Sequence, residues 1–220
     1  MIKVENVSKT IKGQTILDQI NLELEYGMVY GFVGRNGSGK SMLLKAICGF
    51  IQPDEGSITI DGKVLGKDID FPEDIGIIIE KPAFIPYLSG LENLKILAEI
   101  RKLITEEQIR QEMEAFGLDP DNKKKVKNYS VGMKQRLALA QAFMEDPRIL
   151  ILDESMNGLD REGVAFAKER VREAKEKGKM ILICSHIAGD IQELCDVIFE
   201  IDAGRIWKEE RKGENEEITV

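Results

Sequence analysis

Apolar and polar residues alternate through Ile2 and Val4, and again through Ile20, Leu22 and Leu24, with Gly13 and Gly27 as punctuation. A period of two predicts half-buried strands, here an antiparallel flank at the N-terminus. The short apolar run 29–33, VYGFV, predicts a buried strand leading into a glycine-rich loop, and 41–48 has the spacing of a helix that Gly49 would stop. Residues 57–60 read as a strand closed by the tight turn Asp61-Gly62, and 75–79 as a fully buried strand ending at Glu80.

The texture changes beyond Glu80. Ser89-Gly90-Leu91-Glu92 and Thr105-Glu106-Glu107-Gln108 are capping boxes, each followed by helical apolar spacing, the second closed by Gly117. A further helix opens at Ser130 with an apolar face through Met133, Leu137, Ala140 and Met144. Strand 149–152, helix 161–177 before Gly178, strand 180–185, a short helix at 188–195 and strand 197–201 then alternate. This order predicts a parallel-rich α/β core, 1–81 and 147–207, with a helical subdomain inserted at about 82–146. The tail 208–220 is charged, poor in large apolar residues, and expected to be mobile.

With 220 residues, 43% hydrophobic and 32% charged, the chain suits one globular domain over 1–220 rather than two. A net charge of -8 argues against a nucleic-acid binder that works by neutralising phosphates, so no nucleic-acid partner is expected. Lys123, Lys124, Lys125 and Lys127 read as a solvated surface turn. Cys48, Cys184 and Cys195 lie far apart among apolar neighbours, as small core residues of a reducing compartment would. No apolar run approaches the roughly 20 residues of a membrane span, and MIKVENV is not a secretory signal. The chain is expected to be cytosolic, and any pore it serves would belong to another chain.

The loop GRNGSGKS fits G-x-x-x-x-G-K-[ST] without a gap: Gly34, Arg35, Asn36, Gly37, Ser38, Gly39, Lys40 and Ser41. Glycines let backbone N–H groups converge on phosphate oxygens, and the helix start aims its positive end at the same anion. Lys40 would reach the β- and γ-phosphates and Ser41 would ligate Mg²⁺, with Met42 as the next residue of the site. Asp153 and Glu154 stand where the apolar strand ILIL emerges. The first carboxylate can hold Mg²⁺ through water, leaving the second to orient or deprotonate an attacking water. His186, the only histidine, follows MILICS at the sheet edge where ligands of open α/β folds bind, which favours a ligand role over a structural one.

In their order, GRNGSGKS, YSVGMKQR, ILILDES, NGLD and CSH resemble the nucleotide-binding subunit of ABC transporters, from Ile2 to about Trp207. The resemblance implies a P-loop NTPase core with a mixed, largely parallel sheet, an N-terminal antiparallel flank and an inserted helical subdomain. It also implies ATP and Mg²⁺, and a head-to-tail dimer with a second copy or a homologous ATPase subunit. Ser130, Val131, Gly132 and Met133 would then be the signature that meets ATP on the partner's P-loop. Asp160 would lie at the dimer interface, and Glu154 and His186 would be catalytic.

The sequence departs from the family pattern in three places. The signature has lost its glutamine to Met133. Ile11 stands where an aromatic commonly stacks on adenine. Glu80 replaces the usual glutamine and adds a carboxylate toward the metal and the γ-phosphate, with a catalytic role expected alongside. IGIIIEKPAFIPYLSGLENL is similar to the subgroup serving bacitracin-type and lantibiotic-immunity exporters, which carries such a glutamate.

The implied function is that of a transport ATPase subunit energising a separate membrane permease, an exporter with peptide antibiotics as candidate cargo. Such a subunit would sit at the cytoplasmic face of the plasma membrane. Its permease-facing surface would follow Glu80, at about 81–93, with Phe84, Ile85 and Tyr87 either exposed there or packed in the helical lobe. The alternative, a non-transport cytosolic ABC ATPase, usually carries tandem cassettes or a long insertion that 220 residues do not accommodate. A small kinase or GTPase would leave 130–136 without a task, and N-K-x-D is missing.

Overall fold

The computed structural model describes residues 1–80, 82–185, 188–212 and 218–219, without the side chains of 188, 218 and 219. Strands β1 (Ile2–Ile11) and β2 (Gln14–Leu24) form a hairpin whose turn, Lys12-Gly13, has φ of 50° and 81°. Two left-handed residues match the twist of the flanking strands, which is why so long a hairpin closes tightly. After β3 (Val29–Val33) and α1 (Lys40–Ile47), β4 (Glu55–Ile60) pairs with the free side of β1, and β5 (Lys63–Val64) folds back at Asp61-Gly62. These strands make an antiparallel sheet in the order β2-β1-β4-β5.

The second sheet begins at β6 (Ile75–Ile78), and the helical lobe follows as α2 (Gly90–Arg101), α3 (Glu106–Ala115) and α4 (Val131–Phe143). Both predicted capping boxes are formed, Ser89 with Glu92 and Thr105 with Gln108. Next come β7 (Ile149–Asp153), α5 (Arg161–Glu176), β8 (Met180–Cys184), α6 (Ala188–Leu194), β9 (Val197–Asp202), β10 (Arg205–Arg211) and β11 (Ile218–Thr219). The sheet order is β11-β10-β9-β3-β8-β7-β6. β9, β3, β8, β7 and β6 run parallel, while β10 and β11 are antiparallel additions.

The sheet has apolar layers on both faces, and the alternation within β7 divides them. Ile149 and Ile151 join Leu24, Phe32 and Leu44 beneath the N-terminal sheet and α1. Leu150 and Leu152 join Leu94, Phe116, Leu137 and Val171 beneath the helices. A strand buried on both faces reads as an unbroken apolar run, the ILIL of the sequence.

Two expectations need correction. Ile75 and Ile77 are only half-buried, because β6 is the sheet edge rather than an interior strand. The tail does not leave the fold at Lys208: Ala203-Gly204, at φ of 45° and 80°, turns the chain into β10 beside β9, and Lys208 and Glu209 pair onward with β11. That turn has the two-residue hairpin geometry, and the charged side chains of β10 suit a strand with one wet face.

Candidate functional site

β3 delivers the chain into the glycine-rich loop, and α1 starts at Lys40 with Gly39 as N-cap at φ 113° and no side-chain cap. The first N–H groups of α1 are therefore left for a ligand, at the positive end of the helix dipole. The glycines are required sterically as well. A Cβ at Gly34 (φ 150°) would lie 2.1 Å from the Ile201 carbonyl oxygen, and one at Gly39 would lie 2.8 Å from that of Ile16. Arg35, Asn36 and Gly37 form the exposed tip, whereas Ser38, Gly39 and Lys40 are buried. Lys40 Nζ donates to the carbonyls of Gly34 (2.8 Å) and Arg35 (3.0 Å), so the loop closes around its own ammonium. Ser38 Oγ is buried without a hydrogen-bond partner among the described residues, an unmet capacity beside the anion cradle.

The adjoining parallel strands bring the carboxylates to this loop. Asp153 ends β7 in register with Cys184 of β8, and Glu154 N donates to the Cys184 carbonyl at 2.9 Å. Glu154 leaves the strand at φ 51°, a left-handed conformation that carries strain in a residue with a side chain. Its Oε2 accepts from Asn157 Nδ2 at 2.8 Å. Asp153 is buried and hydrogen-bonded to Ser41. Burial pushes its carboxyl above the ordinary range, with the Ser41 bond and the Lys40 charge acting in the opposite sense.

A cavity of about 310 Å³ joins the parts, lined by Ile16, Asn36, Gly37, Gly39, Lys40, Ser41, Met42, Asp153 and Glu154. A groove of about 350 Å³ opens where the two sheets meet, but its lining of Lys3, Glu5, Glu23, Glu209 and Arg211 offers neither an amide cradle nor a paired carboxylate site. Size does not decide here; the chemistry of the lining does. The hydroxyl and carboxylate oxygens of Ser41 and Asp153 are hard donors, and a buried carboxylate held above its usual range gains from a dication, so the residues present fit Mg²⁺.

Other expected site residues lie apart from this cavity. Ser130 caps α4, its Oγ accepting from Met133 N at 3.2 Å, and Val131 is 71% exposed. Ser130, Val131, Gly132 and Met133 do not line the cavity of their own chain. Asp160 is exposed and caps α5 through Gly163 N at 2.8 Å, while also accepting from Arg136 Nη2 at 2.7 Å. Those two contacts, the amide first, hold its carboxyl below the ordinary range.

Ile11 lies exposed on the β1–β2 hairpin, and Ile16 and Met42 are the large apolar residues that line the cavity. Glu80, at φ 63°, is ion-paired with Lys45 of α1 and does not enter the cavity. Phe84 is half-buried against the helical side of the core, and Ile85 is half-buried with its N–H on Asn93 Oδ1 at 2.7 Å. Tyr87 is 67% exposed. His186 and Lys81 lie outside the described residues.

Sequence reasoning missed Ile16, Lys45, Arg136 and Asn157. Asn157 and Arg136 stood inside quoted motifs, NGLD and YSVGMKQR, whereas Ile16 and Lys45 did not. Arg136 also donates to the Phe116 carbonyl at 3.1 Å, and Gln135 donates to that of Ser155 at 2.6 Å, fastening α4 to the segment that follows Glu154.

A phosphate-cradling loop between strand and helix, with a buried acid and a second carboxylate at the end of the neighbouring strand, defines a P-loop nucleoside-triphosphatase. The ABC transporter family matches residues 17–157, and the chain belongs to that family, as an ATP-binding and ATP-hydrolysing protein. It is 46% identical over 211 residues to the uncharacterized ABC transporter ATP-binding protein YybJ of Bacillus subtilis (strain 168), covering 96% of this chain and 97% of the relative. It is 35% identical to the lantibiotic transport ATP-binding protein SrtF of Streptococcus pyogenes, over 99% of this chain and 94% of that one. To the bacitracin transport ATP-binding protein BcrA of Enterococcus faecalis it is 36% identical, over 95% and 68%. Among solved structures, an ATP-binding subunit of an ABC transporter superposes with a TM-score of 0.87 at 28% identity, over 96% of this chain and 90% of that one. A dimeric ATP-binding cassette in a post-hydrolysis state with ADP and Pi gives 0.88 at 24% identity, over 97% and 100%, and shares the fold.

Proposed function

We propose that this chain is the ATP-hydrolysing subunit of an exporter of peptide antibiotics, acting on a separate membrane permease and working as a head-to-tail dimer. The observation that carries the reading is the division of the site. The loop, Ser41, Asp153 and Glu154 share one cavity, while the capped, exposed start of α4 does not line it. A helix N-terminus with a serine cap is an anion site, and in this chain it has no phosphate of its own to meet. A second copy supplies one.

In that dimer Gly34, Arg35, Asn36, Gly37, Ser38 and Gly39 offer backbone N–H groups to the phosphates. Lys40 gives up the carbonyls of Gly34 and Arg35 for phosphate oxygens, and Ile16 and Met42 form the apolar wall nearest the base. Ser41 and Asp153 would hold Mg²⁺, which would supply charge neutralisation to the triphosphate. Glu154, oriented by Asn157, accepts the proton of the attacking water. His186 contacts the γ-phosphate, and Ser130 and Gly132 of the partner subunit close the site. Asp160 lies near the interface, held in place by Arg136.

The export reading draws on the likeness to the lantibiotic and bacitracin transport proteins. No helix among the described residues is long and apolar enough to cross a membrane, which supports a permease on a separate chain with this subunit peripheral on the cytoplasmic face. Exposed Tyr87 and the groove beside Pro82 and Ala83 face that permease. Cells carrying the chain and its permease should survive bacitracin or a lantibiotic better than cells carrying the Glu154→Gln variant. Equal survival against both classes would overturn the cargo reading.

A further inference from the structure

Glu80 is the sharpest departure from the family pattern, and its surroundings account for the carboxylate differently from the metal site. It follows β6 at φ 63°, its side chain is 66% exposed, and its partner is Lys45 of α1, whose side chain is 24% exposed. Rather than the phosphate cavity, it lines a separate groove of about 300 Å³ with Phe50, Ile79, Leu97 and Gln141. Lys45 stands four residues after Ser41 in α1, so the two share a helix face and are separated by about 6 Å along the axis. The residue that pairs with the Glu80 carboxylate is thus rooted about one helical turn beyond Ser41, whose hydroxyl is bonded to Asp153, and Glu80 stays out of the cavity those two line. A glutamine at this position could hydrogen-bond Lys45 but could not form the ion pair.

We propose that Lys45 is a positioning residue for Glu80: it holds the carboxylate away from the Ser41 and Asp153 oxygens and thereby sets how much Mg²⁺ the site needs to take up nucleotide. The inference rests on the reading of Ser41 and Asp153 as the Mg²⁺ donors with Glu80 as an auxiliary carboxylate. An ion pair this exposed is weak, amounting to no more than about fivefold in an equilibrium constant. It is therefore strong enough to bias where Glu80 sits and weak enough for a dication to overcome. The pair also connects the groove on the permease-facing side to α1, because Glu80 belongs to both surroundings.

The test is a Mg²⁺ titration of binding of a fluorescent, non-hydrolysable ATP analogue, which reads occupancy rather than turnover. Lys45→Met should lower the half-saturating Mg²⁺ concentration by about two- to fivefold, because Glu80 is released toward the metal. Lys45→Arg should keep the wild-type value, since the pair survives. Glu80→Gln should raise the requirement, and adding Lys45→Met to Glu80→Gln should change nothing further. A Lys45→Met shift of equal size in the presence and absence of Glu80 would assign the effect to the lysine charge itself and overturn the inference. No shift from Lys45→Met while Glu80→Gln still moves the midpoint would also overturn it, and would leave Glu80 as an auxiliary carboxylate. Should Glu80→Gln leave the midpoint unmoved, the reading of Glu80 as a metal-side residue falls and the inference falls with it.

Discussion

Lys40→Met separates the two jobs that the structure gives this side chain. Lys40 is 8% exposed and its ammonium donates to the Gly34 and Arg35 carbonyls, so it braces the loop. Facing a phosphate oxygen at about 4 Å, a unit charge gains roughly 4 kcal/mol at an effective dielectric near 20. Part of that is offset by the two carbonyl bonds it must leave, and a net charge-assisted hydrogen bond contributes about 1.5 to 3 kcal/mol. The variant should therefore bind nucleotide about 10- to 150-fold more weakly. Stability should change little, because losing the two bonds also removes a desolvated charge. A net effect within about 1 kcal/mol would move Tm by about 2 to 4 °C in a chain of this size. Equilibrium binding of a fluorescent ATP analogue with Mg²⁺, beside a thermal melt of the same sample, checks both numbers. Unchanged affinity in a variant that melts normally would refute the phosphate assignment of Lys40.

Glu154→Gln should retain ATP and stall hydrolysis, because the amide keeps the shape and the Asn157 contact but cannot take a proton; normal turnover would remove Glu154 from the base role. Arg170 Nη2 donates to both carboxylate oxygens of Glu112 in α3, at 2.7 and 2.9 Å, and the guanidinium lies 5.9 and 5.6 Å from the ring centroids of Phe116 and Phe143, so Arg170→Met should cost about 2 kcal/mol in calorimetric unfolding. An unchanged unfolding curve would mean that the helical lobe is not tied to α5 through this contact. Burial first, and then the bond to Asp61, push the Tyr26 phenol up to about 12. The neutral phenol is the favoured form in the fold, so its contribution is intact below pH 10 and is lost as pH climbs through 12, whereas Tyr26→Phe should flatten that decline.

What the sequence made legible follows from how locally each feature is determined. The strand, loop and helix around 34–41 were readable because the glycines and lysine act through contiguous backbone, and both capping boxes close within four residues. β7 announced itself by length and apolarity. β10 did not, because its charged face resembles a solvated tail and the left-handed Ala203-Gly204 turn is not a familiar hairpin dipeptide. The partners of the site residues were illegible for a different reason. Lys45 meets Glu80 across 35 residues and Arg136 meets Asp160 across 24, distances over which periodicity carries no information. The apolar neighbour of the phosphate loop was not readable either: Ile11 lies out at the turn, whereas Ile16 in β2 runs past Gly39 and lines the cavity.

The central claim is that Ser130 completes the site of a second copy rather than its own. Mixing a Ser130-defective subunit, Ser130→Arg, with a Lys40-defective one, Lys40→Met, tests it most directly, since each alone should be nearly inactive. In the mixed dimer the intact P-loop of the first subunit faces the intact α4 start of the second, so ATPase activity should reappear from one composite site, and it should rise with total protein concentration. If the mixture stays as inactive as its components while the wild type turns over ATP as a monomer at every concentration, the composite site is contradicted.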